Sequence, residues 1–395
     1  MAPGSLYLWI GSPLIRPCYN VPAVFLVRSV PSAGGCVMDG KPLGVGIVGC
    51  GRIFDLHMLG YEGREDAAVL AVADASEERL RSRMETYSIP RGYTDYRALL
   101  EDPEIDLVEI LTPHHLHREM AVAAARAGKH VSLQKPPALN LREMDEIVAA
   151  AEEAGTVLRI YENFVFYPPV VRARELIGEG AIGEPLNIRM RTLSGSAAGG
   201  WEVPLESWAW RVDERTCGGG PFVFDDGYHK FSMAIYLLGD VEKVFAWMEE
   251  LPLGEGKRVD APSICIWKYR DKKVFGSIDF TWAYDLLIRS DYYAADDRVE
   301  ITGTRGIIWI TRGHGRMLDV PPLLLYRDGE LTGLTDMEAD WGVSFRDCTR
   351  HLLDCLRKGE TPHLTPAEGR RVLQFALAAM ASAREGREVY LEEMS

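Results

Sequence analysis

Residues 43–54, which read LGVGIVGCGRIF, decide the fold. A short apolar run ends in Gly49 and Gly51, and a helix is expected to start directly after them. Glycines at such a turn permit a tight backbone and let a pyrophosphate approach the N–H groups at the helix N-terminus. The glycine pair alone indicates little, because many strand-to-helix turns contain glycine.

A second apolar run, residues 68–73, ends at Asp74, which lies 23 residues after Gly51. An acidic side chain at this place accepts hydrogen bonds from adenosine ribose hydroxyls, and it would repel a 2′-phosphate. It therefore favours NAD over NADP. Asp74 is also placed to cap the helix expected in ASEERL, and the two roles are compatible. Strand, glycine pair, helix, strand and aspartate together favour a dinucleotide site.

Apolar runs and helical patterns alternate as far as residue 161. This alternation predicts a parallel sheet covered by helices on both faces, with ligands at the carboxyl ends of the strands. The remaining predicted strands are residues 106–111, 130–133 and 156–161, and the predicted helices are residues 76–86, 116–127 and 141–154.

Polar residues follow two of these runs. The first group, Thr112-Pro113-His114-His115-Leu116-His117, has the composition of a metal site. The loop contains no carboxylate, and the side chains of neighbouring residues diverge, so capping and backbone contacts at a helix start are the preferred interpretation. The second group is Gln134-Lys135 before two prolines. Lys135 either faces a bound ligand or lies on the surface, and the spacing does not decide between these.

Beyond residue 161 the pattern changes to β-rich runs joined by short turns, which predicts a second domain of α+β type with a mainly antiparallel sheet. The tryptophans on or just beyond its predicted strands, Trp247, Trp267, Trp282 and Trp309, are expected to pack a sheet face or a subunit interface. The predicted strands are residues 185–193, 241–248, 263–269, 273–281, 298–302 and 307–311, with helices at 343–358 and 366–385 and a short closing strand in 386–391.

One segment of the second half departs from this pattern. Trp210-Arg211 precedes the run CGGGPFVFDDGYH, which ends at His229, and a helix is predicted over residues 225–238. Asp225 and His229 are four residues apart, so they share a helix face, with Asp225 at the N-terminal end where the dipole favours negative charge. They form either part of a ligand site or an ordinary N-cap with a half-buried histidine.

Composition excludes several classes of protein. The 395 residues carry a formal charge of −14, which argues against a nucleic-acid binder and against docking on an anionic membrane. The seven cysteines are scattered without a C-x-x-C pair, which indicates reduced thiols in a cytoplasmic protein without a zinc ribbon. Residues 1–37 contain no Asp, Glu or Lys. We expect them to be a disordered extension or the product of a misassigned start, with translation beginning at Met38.

Taken in order, these pieces resemble the Gfo/Idh/MocA family of nicotinamide-dependent oxidoreductases. The resemblance spans about residues 43–391 and rests on segments such as GVGIVGCGRI, SLQKPPA, GGPFVFDDGYH and EITGTRGII. It implies an N-terminal Rossmann domain, here residues 38–161, and a C-terminal substrate-binding and oligomerisation domain, here residues 162–395. Gln134 replaces a family glutamate, Phe54 a small residue and Ser232 a second aspartate.

The resemblance also assigns roles to residues. It implies that Lys135, His229 and Asp225 are catalytic, with His229 as acid/base, Lys135 stabilising the reacting oxygen, and Asp225 orienting the substrate or the histidine. No metal is implied. The residues implied in NAD binding are Gly49, Gly51, Arg52, Ile53, Asp74, Thr112, His117, Gln134 and Lys135, and those implied in substrate binding are Glu162, Asn163, Trp210, Arg211 and Tyr228.

The implied activity is NAD-dependent oxidation of a secondary alcohol of a sugar, sugar derivative or cyclitol by a homodimer or homotetramer. Two alternatives remain open. One is an epimerase, lyase or glycosidase that uses tightly bound NAD transiently, and the other is a non-enzymatic regulator that binds a dinucleotide or sugar. A regulator has no need of the proton-transfer set formed by Lys135, Asp225 and His229.

Overall fold

The computed structural model describes residues 41–394 except 202, 204, 255 and 256. The expectations for residues 1–37 and for a start at Met38 lie outside the described residues. Within the described part of the chain, no helix combines the length and apolar character needed to cross a membrane. The five cysteines described there are free and buried, namely Cys50, Cys217, Cys265, Cys348 and Cys355.

The first half forms the predicted parallel sheet. In the described residues it has six parallel strands in the order β3-β2-β1-β4-β5-β6, so β1 and β4 are neighbours and successive strands are added on opposite sides of this pair. This is the switch point at which doubly wound sheets bind ligands. Only the short β3 was not predicted. The strands are β1 (Leu43–Val48), β2 (Ala67–Ala73), β3 (Arg91–Tyr93), β4 (Leu107–Ile110), β5 (His130–Gln134) and β6 (Leu158–Tyr161).

Helices cover this sheet as predicted, and the clearest local signal belongs to α5. The side chain of Asn140 accepts a hydrogen bond from the backbone N–H of Glu143, and Gly155 ends the helix in the left-handed conformation with φ of 65°. The helices of this half are α1 (Phe54–Met58), α2 (Glu77–Tyr87), α3 (Tyr96–Leu100), α4 (His117–Arg126) and α5 (Leu141–Ala154).

The second half contains the predicted open sheet, here called the large sheet. Among the described residues its order is β16-β15-β14-β13-β7-β12-β11-β8-β17, and every neighbouring pair is antiparallel except β7 with β12. A separate hairpin pairs β9 with β10. The strands are β7 (Pro185–Ala197), β8 (Val241–Met248), β9 (Leu251–Gly254), β10 (Lys257–Val259), β11 (Ser263–Tyr269), β12 (Phe275–Ile288), β13 (Ala295–Gly303), β14 (Gly306–Ile310), β15 (Leu323–Arg327), β16 (Glu330–Leu334) and β17 (Val389–Tyr390).

One helix of the second half returns to the parallel sheet. Leu352 and Leu353 pack in the same buried cluster as Ile47 and Val72, so the core of the first half is completed by residues far beyond position 161. The helices of this half are α6 (Pro168–Gly178), α7 (Leu205–Trp208), α8 (Glu214–Cys217), α9 (Gly227–Leu238), α10 (Trp341–Lys358) and α11 (Pro366–Glu385), of which the first three were not predicted.

The predicted start of the helix at Asp225 is wrong. A π-helical turn, Pro221–Asp226, runs directly into α9. The carboxylate of Asp260 accepts hydrogen bonds from the N–H groups of Phe222 and Val223 at 3.0 and 2.7 Å, and it therefore caps this helical segment. Asp225 lies inside the segment, so it is neither an N-cap nor a dipole-stabilised terminal charge.

Candidate active site

A cleft of about 1110 Å³ runs along the carboxyl ends of β1, β2 and β4. A Cβ atom at Gly49, whose φ is +103°, would lie 2.9 Å from the backbone carbonyl of Leu111, so only glycine fits this close approach between strands. A Cβ atom at Gly51 would meet no atom within 4 Å and would fill the cleft instead. The predicted cofactor residues that line the cleft are Gly49, Gly51, Arg52, Ile53, Asp74 and Thr112.

Asp74 joins the glycine turn to the second helix. Its Oδ2 accepts a hydrogen bond from the N–H of Cys50 and its Oδ1 one from the N–H of Ser76, both at 2.8 Å. Arg79 forms an ion pair with the same carboxylate at 2.8 Å. The cap of α2 is Ser76, which accepts from the N–H of Arg79. Asp74 thus faces the cleft with its negative charge partly balanced by an arginine.

A second cavity, of about 190 Å³, adjoins the cleft, because Ile53, Thr112 and Trp210 line both. We call it the active-site cavity. Lys135, at the end of β5, and His229, in α9, both line it, so the predicted catalytic pair meets although 94 residues separate the two in the chain.

Lys135 is held by an ion pair with Asp225. Its Nζ donates to Asp225 Oδ1 at 2.7 Å and to the Asp225 carbonyl oxygen at 2.8 Å, while Arg211 Nε donates to Oδ2 at 2.8 Å. Burial raises the pKa of Asp225, but Lys135 and Arg211 outweigh burial and hold that pKa well below its ordinary value. Asp225 is therefore ionised, and it positions Lys135 instead of contacting His229.

The carboxylate partner of His229 is Glu162. The Nδ1 of His229 lies 2.8 and 2.7 Å from the two carboxylate oxygens, and Glu162 also accepts a hydrogen bond from the N–H of Phe164 at 2.9 Å. Burial lowers the pKa of His229, Glu162 raises it and Lys135 lowers it, with a net decrease. The imidazole is therefore neutral near pH 7, with its proton on Nδ1 and the lone pair of Nε2 available as a base.

Gln134, which stands where the family has glutamate, fixes the end of β5. Its Oε1 accepts from the N–H of Lys135 at 2.8 Å, and its Nε2 donates to His57 Nε2 at 3.1 Å. His57 in turn donates from Nδ1 to the fully buried Glu109 at 2.9 Å. An amide suits this place because its –NH₂ group supplies the donor that the histidine lone pair accepts.

Three predicted contacts are absent from the cavity walls. His117 is buried, with its ring nitrogens within 2.9 Å of the carbonyl oxygens of Pro136 and Thr112, which agrees with the interpretation of backbone contacts and corrects its assignment to the cofactor. Tyr228 is buried and donates to the Gly369 carbonyl oxygen. Glu162 is 1% exposed and reaches the cavity only through His229.

The remaining predicted substrate contacts, Asn163, Trp210 and Arg211, do line the cavity. Sequence reasoning missed further wall residues from distant segments. For His314, the sequence offered only the pattern of a histidine between two glycines, residues 313–315. The missed residues include His314, Asp226, Tyr293 and Trp341.

The family models match both halves of the chain. Residues 43–162 match the model described as oxidoreductase family, NAD-binding Rossmann fold, and residues 170–309 match the Gfo/Idh/MocA C-terminal domain. The chain belongs to the Gfo/Idh/MocA oxidoreductase family. This oxidoreductase is an NAD-dependent enzyme, and its Rossmann sheet is the parallel sheet described above.

Its relatives act on sugars and cyclitols. It is 27% identical to myo-inositol 2-dehydrogenase of Thermotoga maritima, a match covering 89% of this chain and 99% of the relative. It is 28% identical to D-apiose dehydrogenase of Paraburkholderia graminis over 88% of this chain and 89% of the relative. The solved structure of levoglucosan dehydrogenase with NADH and levoglucosan superposes with a TM-score of 0.75 at 25% identity, covering 89% of this chain and all of that one.

The residues of the cleft fit NAD. The open space beside Gly51 admits a pyrophosphate, and the Asp74 carboxylate at the end of β2 supplies acceptors for ribose hydroxyls. In the described ranges, no group of three His, Cys, Asp or Glu side chains is arranged to hold a metal ion.

We expect the protonation of His229 to set the acidic limb of the pH profile of this oxidoreductase. A base must be unprotonated, and the His229 pKa is lowered from 6.5, so we expect the acidic limb of kcat/KM for polyol oxidation below pH 6.5. Glu162→Gln removes a charge that raises this pKa, and the limb should shift to still lower pH. The measurement is kcat/KM from pH 4.5 to 9, with His363→Gln as an exposed control. A limb above pH 6.5, or one unmoved in Glu162→Gln, contradicts the assignment.

Proposed function

We propose that this oxidoreductase oxidises a secondary alcohol of a sugar, sugar derivative or cyclitol in the cytoplasm, with Lys135 and His229 as its catalytic pair. The supporting observation is that both side chains line one cavity adjoining the dinucleotide cleft. The parallel sheet formed by residues up to 161 holds the cofactor, and residues from 162 onward supply most of the substrate site.

Each residue has one task in the proposed reaction. NAD bound in the cleft would supply the acceptor for the hydride that leaves the carbinol carbon. His229 Nε2 accepts the hydroxyl proton, and Glu162 stabilises the imidazolium that results. Lys135 donates a hydrogen bond to the same oxygen and stabilises the negative charge that develops on it. Asp225, which is itself held by Arg211, keeps the ammonium group in place.

Removing either catalytic group should abolish turnover and spare cofactor binding. Lys135→Met and His229→Ala are each expected to lower kcat at least about 100-fold, because each removes proton transfer or charge stabilisation. NAD binding, measured by quenching of tryptophan fluorescence, should change less than about threefold. The assay follows NADH absorbance with inositols, monosaccharides, sugar acids and anhydrosugars.

The same assay separates the alternative activities. NADH that accumulates with substrate indicates net oxidation, whereas product formation without NADH indicates transient use of bound NAD. Ligand binding without turnover across the panel would favour a regulator. Full activity of either variant would remove that residue from the mechanism.

Asp74 should control cofactor preference. Asp74→Ala removes the acceptor for ribose hydroxyls and the charge that repels a 2′-phosphate, and it releases Arg79 from its ion pair. We expect NAD affinity to fall about tenfold and the preference over NADP to narrow by at least that factor. Dissociation constants for both cofactors test this, with the exposed Asp319→Ala as control. An unchanged NAD/NADP ratio would limit the role of Asp74 to its contacts with backbone N–H groups and Arg79.

The outer face of the large sheet is proposed to join copies of this chain into a homodimer or homotetramer. Ile264 and Ile266 point outward from β11 while Cys265 and Trp267 between and beyond them are buried. Trp247, which pairs with Ile264 across the strands, is 59% exposed. A contiguous exposed apolar face is typical of an interaction surface.

Light scattering tests the proposed interface. The protein should have the mass of a dimer or tetramer, and Trp247→Glu should shift it to the monomer, because the interface would then bury an unpaired charge. Thr86→Glu on the exposed face of α2 serves as the charge-matched control. A monomeric wild type, or an unchanged mass for Trp247→Glu, contradicts the interface.

A further inference from the structure

Asp226 presents an unpartnered acceptor at the active-site cavity. It follows Asp225 in the π-helical turn and lines the cavity. Its Oδ1 lies 3.5 Å from Lys230 Nζ, but its Oδ2 is buried and, among the described residues, has no hydrogen-bond donor. A buried carboxylate oxygen at a cavity wall is expected to have a donor, and here a ligand can supply it.

His314 faces the same cavity from the segment between β14 and β15. Its Nδ1 donates to Asp297 Oδ2 at 2.8 Å, and its ring packs 4.3 Å from that of Trp341. In the part of the chain that the structure describes, its Nε2 makes no hydrogen bond. The arrangement repeats that of His229 with Glu162, in which a carboxylate occupies Nδ1 and leaves Nε2 for a ligand.

Lys230 lies behind the cavity wall and links Asp226 to His314 through its contacts with Asp226 and Asp297. It is 1% exposed, and its Nζ lies 2.8 Å from Asp297 Oδ1, which also accepts from Thr192 Oγ1 at 3.0 Å. Burial lowers the pKa of Lys230, but Asp226 and Asp297 raise it further, so the ammonium stays charged. Two carboxylates, Asp226 and Asp297, share this single ammonium, so these three side chains together carry a net negative charge.

We propose that Asp226 and His314 recognise substrate hydroxyls other than the reacting one, and that they select uncharged polyols against those bearing a carboxylate or phosphate at this wall. The inference rests on the proposed function and extends it to the substrate class. A hydroxyl donates to Asp226 Oδ2 and pairs with His314 Nε2. An anionic group has no proton for Asp226 and is repelled by it.

The test compares neutral and anionic probes in matched variants. With D-glucose, myo-inositol and levoglucosan, Asp226→Asn and His314→Leu should raise KM at least about tenfold with kcat within about threefold, because Asp226→Asn removes the charge of a hydrogen-bond acceptor and His314→Leu removes a hydrogen-bond partner altogether. His314→Gln, which keeps a polar end, should recover part of the affinity. In Asp226→Asn the ratio of KM for D-glucuronate to that for D-glucose should fall about fivefold or more. Asp319→Asn and His363→Gln are the surface controls.

Direct binding keeps this test separate from the proposed reaction. Each probe is titrated into wild type and variants saturated with NADH, and binding is followed by cofactor fluorescence. If the probes bind wild type without turnover, the proposed oxidation is refuted. Weaker binding of the same probes to the variants would still support recognition by Asp226 and His314. Recognition by Asp226 and His314 is refuted if no neutral probe binds wild type, or if the variants bind the probes with an affinity within twofold of that of wild type. It is also refuted if the variants have both a lower NADH affinity and a lower melting temperature.

Discussion

The ion pair between Lys135 and Asp225 connects the two halves of the active site. It joins the end of β5 to the helical segment that carries His229, and both side chains are largely buried. A charge in such a place requires a partner, since removing one member of a buried pair destabilises a protein by about 3–5 kcal/mol. Here Asp225 has two cationic partners, Lys135 and Arg211, so the cavity keeps its ammonium group at a defined position.

Several polar groups of the site share one arrangement. Each is hydrogen-bonded by a supporting residue behind it, which leaves one of its atoms facing the cavity. Glu162 holds His229, Asp297 holds His314, and Gln134 is held by His57. In each histidine pair the supporting residue fixes which nitrogen carries the proton. The replacement of the family glutamate by Gln134 is explained by His57, a residue 77 positions away that requires a donor.

Local patterns predicted the elements better than their contacts. Asn140 and Gly155 marked both ends of α5, because a cap and a left-handed glycine act within one helical turn. The helix containing Asp225 begins four residues before its predicted start, because glycines and a proline in this stretch are typical of a loop. In the structure, Asp260 from another segment caps the helical backbone from Pro221 onward. Glu162 was expected to touch substrate, since nothing in its neighbourhood indicated that His229 would cover it.

The sequence predicted most of the strands and helices and the glycine turn at Gly49 and Gly51, because these depend on residues close together in the chain. Local spacing left the roles of Lys135 and His229 open, and only the family resemblance assigned them. Only the folded structure shows which of these residues contact each other. The contact of Asp225 with Lys135 joins residues 90 apart in the chain, and the contact of Glu162 with His229 joins residues 67 apart. The place of His314 in the cavity wall likewise depends on the packing of separate segments. A hydrogen bond requires its donor and acceptor atoms to lie about 3 Å apart, and only the packed arrangement of both sheets brings such distant groups within that range.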